Sequence, residues 1–268
     1  MDATNVWGIA GNWAEIYHAC FAPTVIAPWV ARTLALADPQ PGERVLDVAC
    51  GSGEVTRRAA LLVGPAGRVV GLDLSPEMLA VARSVNGRDG GAAIEWREAP
   101  ADALPFADGS FDVVTCQLGL MFFEERVAAL KEMRRVLAPG GRLALMTWGP
   151  REKCPGNAAM AQAWGEHIGA EQAAKLQPPH SLSDPAEVDR LLQAAGYVQI
   201  VVQTQTARAR FASPQALVCG YGAMSSLQVD AAMRDALCAT VARRLLAYCS
   251  DDGLDYPTEG VLARAGQP

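Results

Sequence analysis

The sequence predicts an α/β protein, a doubly wound and mostly parallel sheet of seven strands with a helical cover over the strand carboxyl ends. Three observations predict it. Apolar strand-like runs alternate with helix-like spacing from residue 44 to 148, the first run ends in a glycine turn, and the second ends on an acid. Val45-Leu46-Asp47-Val48-Ala49-Cys50-Gly51-Ser52-Gly53-Glu54-Val55-Thr56 reads as a strand, a G-x-G turn and a helix start, and Val69-Val70-Gly71-Leu72-Asp73 as the next strand. One βαβ unit of this kind brings Gly51, Gly53 and Asp73 together at the strand carboxyl ends, which is the shape of a nucleotide pocket.

The other elements follow in chain order. Residues 12–37 carry helical apolar spacing interrupted by Pro23 and Pro28 and read as two short helices. Strands are expected at 44–49, 68–73, 93–97, 111–116 and 142–148, with helices in the gaps. Ser75 and Pro76 form a cap and first helical position, and Asp184, Pro185 and Glu187 repeat that signal for a helix ending at Gly196. Tyr197 to Phe211 alternates as a long strand, with Val198, Ile200 and Val202 on one face. Ser213-Pro214 then starts an amphipathic helix through Met233, Leu237, Val241, Leu245 and Tyr248.

Composition sets bounds. The chain has 268 residues and 50% hydrophobic content, enough for one large domain with additions. Its net charge of −6, with no basic run, disfavours a nucleic-acid partner. No apolar stretch reaches the roughly 18 residues of a membrane span, Arg32 breaks the longest candidate, and no basic region precedes an apolar one at the amino terminus. A soluble, cytoplasmic protein without stable membrane insertion is expected. The cysteines at positions 20, 50, 116, 154, 219, 238 and 249 form no C-x-x-C and are odd in number, so reduced thiols are expected and no metal site. Cys50 sits in the glycine turn but has no recognisable partner base, so it reads as packing beside a ligand and not as a nucleophile.

What the glycine turn lacks narrows the ligand. A dinucleotide fingerprint needs a third glycine at position 56, where this chain has Thr56, and Glu54 at the helix start repels a pyrophosphate while tolerating an ammonium or sulfonium. The pocket suits a mononucleoside with a zwitterionic tail. S-adenosylmethionine fits that description, with Asp73 accepting from the ribose hydroxyls and the G-x-G backbone against the methionyl part.

The segment Glu43–Trp148 resembles the core of class I S-adenosylmethionine-dependent methyltransferases, in particular the branch of ubiquinone/menaquinone-biosynthesis and small-molecule methyltransferases. Four ordered motifs carry the resemblance: Arg44 to Gly53, Gly71 to Leu79, Ala103 to Asp112 and Glu132 to Leu143, the last reading as a helix stopped by Pro139-Gly140-Gly141 before a strand. The resemblance implies a Rossmann-like methyltransferase fold in which a final strand, about Gly260 to Ala265, closes the sheet as its antiparallel edge. It divides the single domain, 1–268, into an N-terminal helical cover (1–38), a cofactor-binding core (43–150) and acceptor-side cover segments (151–182 and 213–250).

The resemblance also assigns residues. Ala49, Gly51, Ser52 and Gly53 surround the methionyl group, and Asp73 takes the ribose. Leu74 and Met78 flank the adenine. Thr56 and Gln117 match positions at the cofactor site of relatives, and Tyr17 matches a tyrosine that closes over the methionyl carboxylate. At the adenine edge the chain departs from the pattern, with Pro100 where relatives carry Asp or Asn. Ala101 retains its backbone N–H there, and Asp102 is either the replacement acceptor or a solvated loop acid.

The activity implied is methyl transfer from S-adenosylmethionine, leaving S-adenosylhomocysteine, to a small-molecule acceptor by in-line displacement. Trp7, Trp13, Trp148 and Trp164, with Met121, Phe122 and Phe123, suggest that the acceptor is apolar or aromatic. If a general base is needed, His18, His167 and His180 are the candidates. Two other readings stand beside this one. Pro100 motivates a cofactor-binding protein that does not methylate, such as a cyclase or regulatory subunit. Thr56 and the lack of a Tyr-x-x-x-Lys pair argue against a nicotinamide-dependent oxidoreductase. The sequence leaves the oligomeric state open.

Overall fold

The computed structural model describes residues 6–85, 90–225 and 227–268. The chain divides into two compact units, one of residues 29–149, 179–205 and 260–268, the other of residues 1–28, 150–178 and 206–259.

The first of these holds the parallel sheet. Helix α2 (Ala27–Ala37) begins at the unit boundary and leads into β1 (Arg44–Val48), α3 (Glu54–Val63), β2 (Arg68–Asp73), α4 (Pro76–Ser84), β3 (Ala93–Glu98), β4 (Phe111–Gln117), α5 (Arg126–Val136) and β5 (Leu137–Trp148). Helix α8 (Pro185–Ala194) also lies in this unit. The sheet order is β3-β2-β1-β4-β5-β8-β6, where β6 is Val198–Phe211 and β8 is Gly253–Gly266. β1 pairs in parallel with both β2 and β4, β2 with β3, and β4 with β5.

From β1 the chain winds one way through α3 and α4 and, from β4, the other way through α5. Right-handed crossovers therefore place α3 and α5 on opposite faces. The strand order reverses between β1 and β4, and the crevice outside the carboxyl ends at such a switch is where open α/β sheets take ligands. One face is sealed by Val30, Leu34 and Ala37 of α2 and Val55, Ala59, Ala60 and Val63 of α3 against Val45, Val69, Val113 and Ala144.

Several sequence expectations shift in detail. Helix α5 stops at Val136, three residues before Pro139, because Leu137 already pairs with Phe111; the register then jumps to Val113 opposite Arg142, and the Pro-Gly-Gly segment is absorbed in that irregularity. Ser75 caps α4, its hydroxyl accepting from Met78 N at 3.1 Å, and Asp184 caps α8, accepting from Ala186 N at 2.9 Å. Gly196 follows α8 with φ of 82°, a left-handed turn that ends it.

The final strand is antiparallel, as expected, but it is not the edge. β8 pairs with β5 from Arg142 opposite Gly266 to Trp148 opposite Gly260 and has β6 as its other neighbour. Burial explains the order. Residues 260–263 are buried without interruption, which suits an interior strand, whereas the first half of β6 is mostly exposed and serves as the edge.

The second unit is mostly helical. It contains α1 (Trp13–Cys20), a π-helical turn at Ala22–Ile26, α6 (Pro155–His167), α7 (Ala170–Ala174), α9 (Pro214–Met224) and α10 (Ala231–Arg244), with the two-residue β7 (Cys249–Ser250) paired to the start of β8. The expected pair of helices over 12–37 is thus three pieces, the π-helical turn carrying Pro23. Asn12 and Glu15 form a capping box at the start of α1 that the sequence reading did not use. The single helix expected after Ser213 is two. Ser213 caps α9, and Asp230 caps α10 by accepting from Met233 N at 2.8 Å. The segments expected as a cover, 1–38, 151–182 and 213–250, fall largely within this unit. The exceptions are 29–38 and 179–182, which belong to the sheet unit, and residues 1–5 and 226, which lie outside the described residues.

Candidate functional site

At the carboxyl end of β1 the backbone turns through left-handed conformations at Ala49 (φ 56°), Gly51 (53°) and Gly53 (89°), and α3 begins at Glu54. Ala49 carries a Cβ and adopts this conformation at a cost of about 1–2 kcal/mol. Leu118, directly after β4, does the same at φ 60°. Ala49 and Leu118, two of the four non-glycine residues with positive φ among those described, thus fall at the ends of the two strands that flank the switch point; Asp38 and Gln199 are the others. Gly119 permits the close approach of these turns, since a Cβ there would lie 2.5 Å from Cβ of Ala49. A Cβ on Gly51 would meet nothing within 4 Å, so the loop faces open space at that residue.

Asp73 ties the glycine loop to the end of β2. Gly51 N donates to its Oδ2 at 2.7 Å and Ser75 N to its Oδ1 at 2.9 Å. Burial raises the Asp73 carboxyl above its ordinary range, and these backbone N–H groups pull it back. Leu74, next in chain, is 67% exposed, an apolar side chain left at the rim of the crevice. Met78 is instead 7% exposed and packs as core on α4.

Beneath the loop lies Asp47, which the sequence reading passed over as part of an apolar strand. It is 1% exposed, with Oδ2 accepting from Thr56 Oγ1 at 2.6 Å and Oδ1 from Thr115 Oγ1 at 2.8 Å. An acid inside an otherwise apolar strand was the available signal. Thr56, expected at the cofactor, is fully buried with its hydroxyl committed to Asp47. Glu54 is ion-paired to Arg57 at 2.7 Å, so its charge at the helix start is partly offset. Cys50 is buried, and desolvation with the charges of Asp47 and Asp73 pushes its thiol well above the ordinary range, keeping it protonated.

Three polar groups here are buried without a hydrogen-bond partner: Ser52 Oγ in the glycine loop, Arg57 Nη1 of α3 beside Gly53, and Gln117 Nε2 at the end of β4. The Gln117 amide is held on its other side, where Oε1 accepts from Thr33 Oγ1 of α2 at 2.7 Å. At the end of β3, Ala99 N donates to the Asp73 carbonyl at 3.3 Å and the chain turns at Pro100, with Ala101 half-buried and Asp102 exposed. That loop is anchored below by Leu104 N, which donates to Glu132 Oε2 at 2.9 Å.

The histidine candidates separate. His18 lies in α1, and His167 in α6 with its Nε2 2.8 Å from Thr240 Oγ1; both belong to the helical unit. His180 belongs to the sheet unit and is 4% exposed. Its Nδ1 donates to the carbonyl of Gly149, directly after β5, at 2.8 Å. The neighbouring Ser181 Oγ donates to the Met121 carbonyl at 3.0 Å and accepts from Arg126 Nη2 at 2.9 Å, so His180 is pinned at the carboxyl ends of β4 and β5. Tyr17 is in the helical unit, stacked on Phe21 with ring centroids 6.3 Å apart. Among the described residues no group of three or more His, Cys, Asp or Glu side chains could hold a metal ion.

Residues 46–145, which build β1 to β5 and the loops just described, match the model of the methyltransferase domain. The same stretch carries the four motifs in order. These residues are similar to a class I methyltransferase domain.

The chain is 41% identical over 138 residues to the ubiquinone/menaquinone biosynthesis C-methyltransferase of Ectopseudomonas mendocina, a match covering 51% of this chain and 52% of that one. The chain spans about half the length of the curated relatives it matches. Among solved structures, a SAM-dependent methyltransferase from Aquifex aeolicus superposes with a TM-score of 0.55 at 21% identity, covering 74% of this chain and 94% of that one. The [4+2]-cyclase SpnF superposes with a TM-score of 0.54 at 20% identity, covering 90% and 81%. At these identities the likeness is one of fold. It places the methyltransferase domain in the Rossmann-like group, and the cyclase shows that this fold serves more than one chemistry.

Proposed function

We propose that the protein transfers a methyl group from S-adenosylmethionine to a ring carbon of an apolar, aromatic small molecule of the quinol type. The observation that carries this reading is a coincidence of place: the stretch that matches the methyltransferase domain is the stretch that builds the crevice around Gly51 and Asp73, in a chain that is 41% identical over 138 residues to a quinone C-methyltransferase.

The residues present fit the cofactor. Orphaned donors at Ser52 Oγ and Gln117 Nε2 suit the methionyl carboxylate, and the open face at Gly51 admits the tail. The Asp73 carboxylate, already fixed by two backbone N–H groups, has lone pairs left for the ribose hydroxyls. Leu74 offers an apolar surface to the adenine, and the Ala101 N–H its ring edge. Bound there, S-adenosylmethionine supplies an electrophilic methyl group.

The remaining work falls to positioning and proton handling. The turn after β4 puts buried Leu120 and Met121 and the 57% exposed Phe122 at the acceptor end, an apolar wall for a flat ring. His180, held at Gly149 by its Nδ1–H, is the candidate base for the acceptor's hydroxyl proton, whose loss raises electron density at the ring carbon.

The test is direct. Purified protein is incubated with S-adenosylmethionine bearing a trideuterated methyl group and a short-chain demethylated naphthoquinol, and the product is read by mass spectrometry. A gain of the labelled methyl on carbon supports the reading. Binding of S-adenosylhomocysteine by calorimetry without transfer to any quinol or phenol would return the chain to the non-methylating reading.

A further inference from the structure

Asp47 is a carboxyl group sealed behind the loop that meets the ligand's tail. It is 1% exposed at the end of β1, two residues before the left-handed turn at Ala49. Its side-chain partners are two neutral hydroxyls, Thr56 on α3 and Thr115 on β4, at 2.6 and 2.8 Å. Gly71, opposite it on β2, has no side chain to contribute. On α3, Arg57 pairs through Nη2 with Glu54 at 2.7 Å, its Nη1 lies beside Gly53 without a partner, and it is not among the groups that act on Asp47. The other titratable groups around it are Asp73 at the end of β2, Cys50 in the loop and Cys116 on β4, and none of them brings a positive charge. A carboxylate out of water with only neutral donors is an unbalanced charge, and a cation entering the neighbouring loop relieves it.

We propose that Asp47 makes the site read the charge of its ligand, favouring a cationic sulfonium or amine over the neutral thioether counterpart and thereby loosening the hold on product once the methyl group has left. The inference rests on the cofactor assignment made above. S-adenosylmethionine differs from S-adenosylhomocysteine by one positive charge at sulfur, and a fixed negative charge buried behind the loop acts on that difference with little shielding. Thr56 and Thr115 hold the carboxylate in place. The threonine that takes the position of a third dinucleotide glycine is therefore a positioning residue for the charge.

The experiment uses three ligands on the full chain: S-adenosylmethionine; sinefungin, which carries an amine at the methyl position and cannot transfer; and S-adenosylhomocysteine. Dissociation constants are measured by calorimetry at pH 7.5 for the parent and for Asp47→Asn. The variant is expected to lose about tenfold in affinity for the two cationic ligands and less than twofold for the thioether. An equal loss for all three, or no loss, overturns the inference. A second measurement needs no variant. At pH 6, titrations of the parent in buffers of different ionisation enthalpy count protons released on binding, and the cationic ligands are expected to release more than the thioether. Equal release overturns the inference even if the Asn variant does not fold. Absence of binding by all three ligands overturns the cofactor assignment itself, and this inference with it, whereas binding without discrimination overturns the charge reading alone.

Discussion

Thr33 donates its hydroxyl to Oε1 of Gln117 at 2.7 Å, joining a helix ahead of the sheet to the end of β4, and both side chains are buried. The contact fixes which end of the Gln117 amide is held and which, Nε2, is left without a partner. Replacing Thr33 by Val keeps the shape and strands Oε1. The expected outcome is a loss of about 1–3 kcal/mol in urea unfolding, with S-adenosylhomocysteine affinity lowered about three- to tenfold. Thr33→Ser is expected to restore both. Unchanged binding in Thr33→Val would show that Gln117 does not serve the ligand.

Asp73 clamps the glycine loop to the start of α4 and is the proposed ribose ligand. Asp73→Ala is expected to weaken S-adenosylhomocysteine binding by about 1.5–3 kcal/mol, the range for losing hydrogen bonds to a charged group. Calorimetric titration of parent and variant measures it. An unchanged affinity would remove Asp73 from the ribose site.

Burial above all raises the Asp47 carboxyl from 3.8 to about 6, against the pull of its two threonine hydroxyls. The folded state therefore keeps a proton between these values that the unfolded chain has released. The sign follows: this group's contribution to stability is full below the unfolded value and lost as pH rises through 6, by about 3 kcal/mol in all. Asp47→Asn removes the loss. Thermal melts from pH 4 to 8 are expected to show the variant gaining on the parent as pH rises, and parallel curves would contradict the assigned shift. The comparison with the parent cancels carboxylates such as Asp112 and Glu132, whose values are lowered by Arg44 and Arg135.

Gly71 is required by Trp96, not by its own backbone. A Cβ on Gly71 would lie 2.5 Å from the Trp96 ring, which also crowds Gly53 at 2.4 Å. Gly71→Ala is expected to cost about 1–3 kcal/mol through overpacking. Trp96→Leu in the same chain is expected to recover part of that in denaturant unfolding. Additive losses would mean that the ring is not the obstacle.

His180→Asn keeps a donor toward the Gly149 carbonyl and removes the proposed base. A fall of about 10²–10⁴-fold in kcat, with S-adenosylhomocysteine binding unchanged, is expected once an acceptor is in hand. A kcat within twofold of the parent would assign His180 to the structure alone.

Much of the site was legible because its signals are local. The G-x-G turn, the acid ending the next strand and the caps at Ser75 and Asp184 each lie within a few residues of what they position, and the strand and helix periods are set by the same short-range geometry. The aspartate of the apolar strand was in view too, but its meaning was not. Its partner Thr115 is 68 residues away, and only the register of β1 against β4 puts Asp47 opposite it.

The sequence by itself determined the βαβ order, the glycine turn and the motifs that place residues 46–145 in the methyltransferase domain, since hydrophobic period and turn chemistry act along the chain. Only the tertiary structure decided that β8 lies inside β6, that the helical segments gather into a unit of their own, and that Thr56 serves Asp47. These depend on which surfaces bury against each other across long stretches of chain. Such burial is non-directional, so the pattern of apolar residues states that a face will be covered without stating by what.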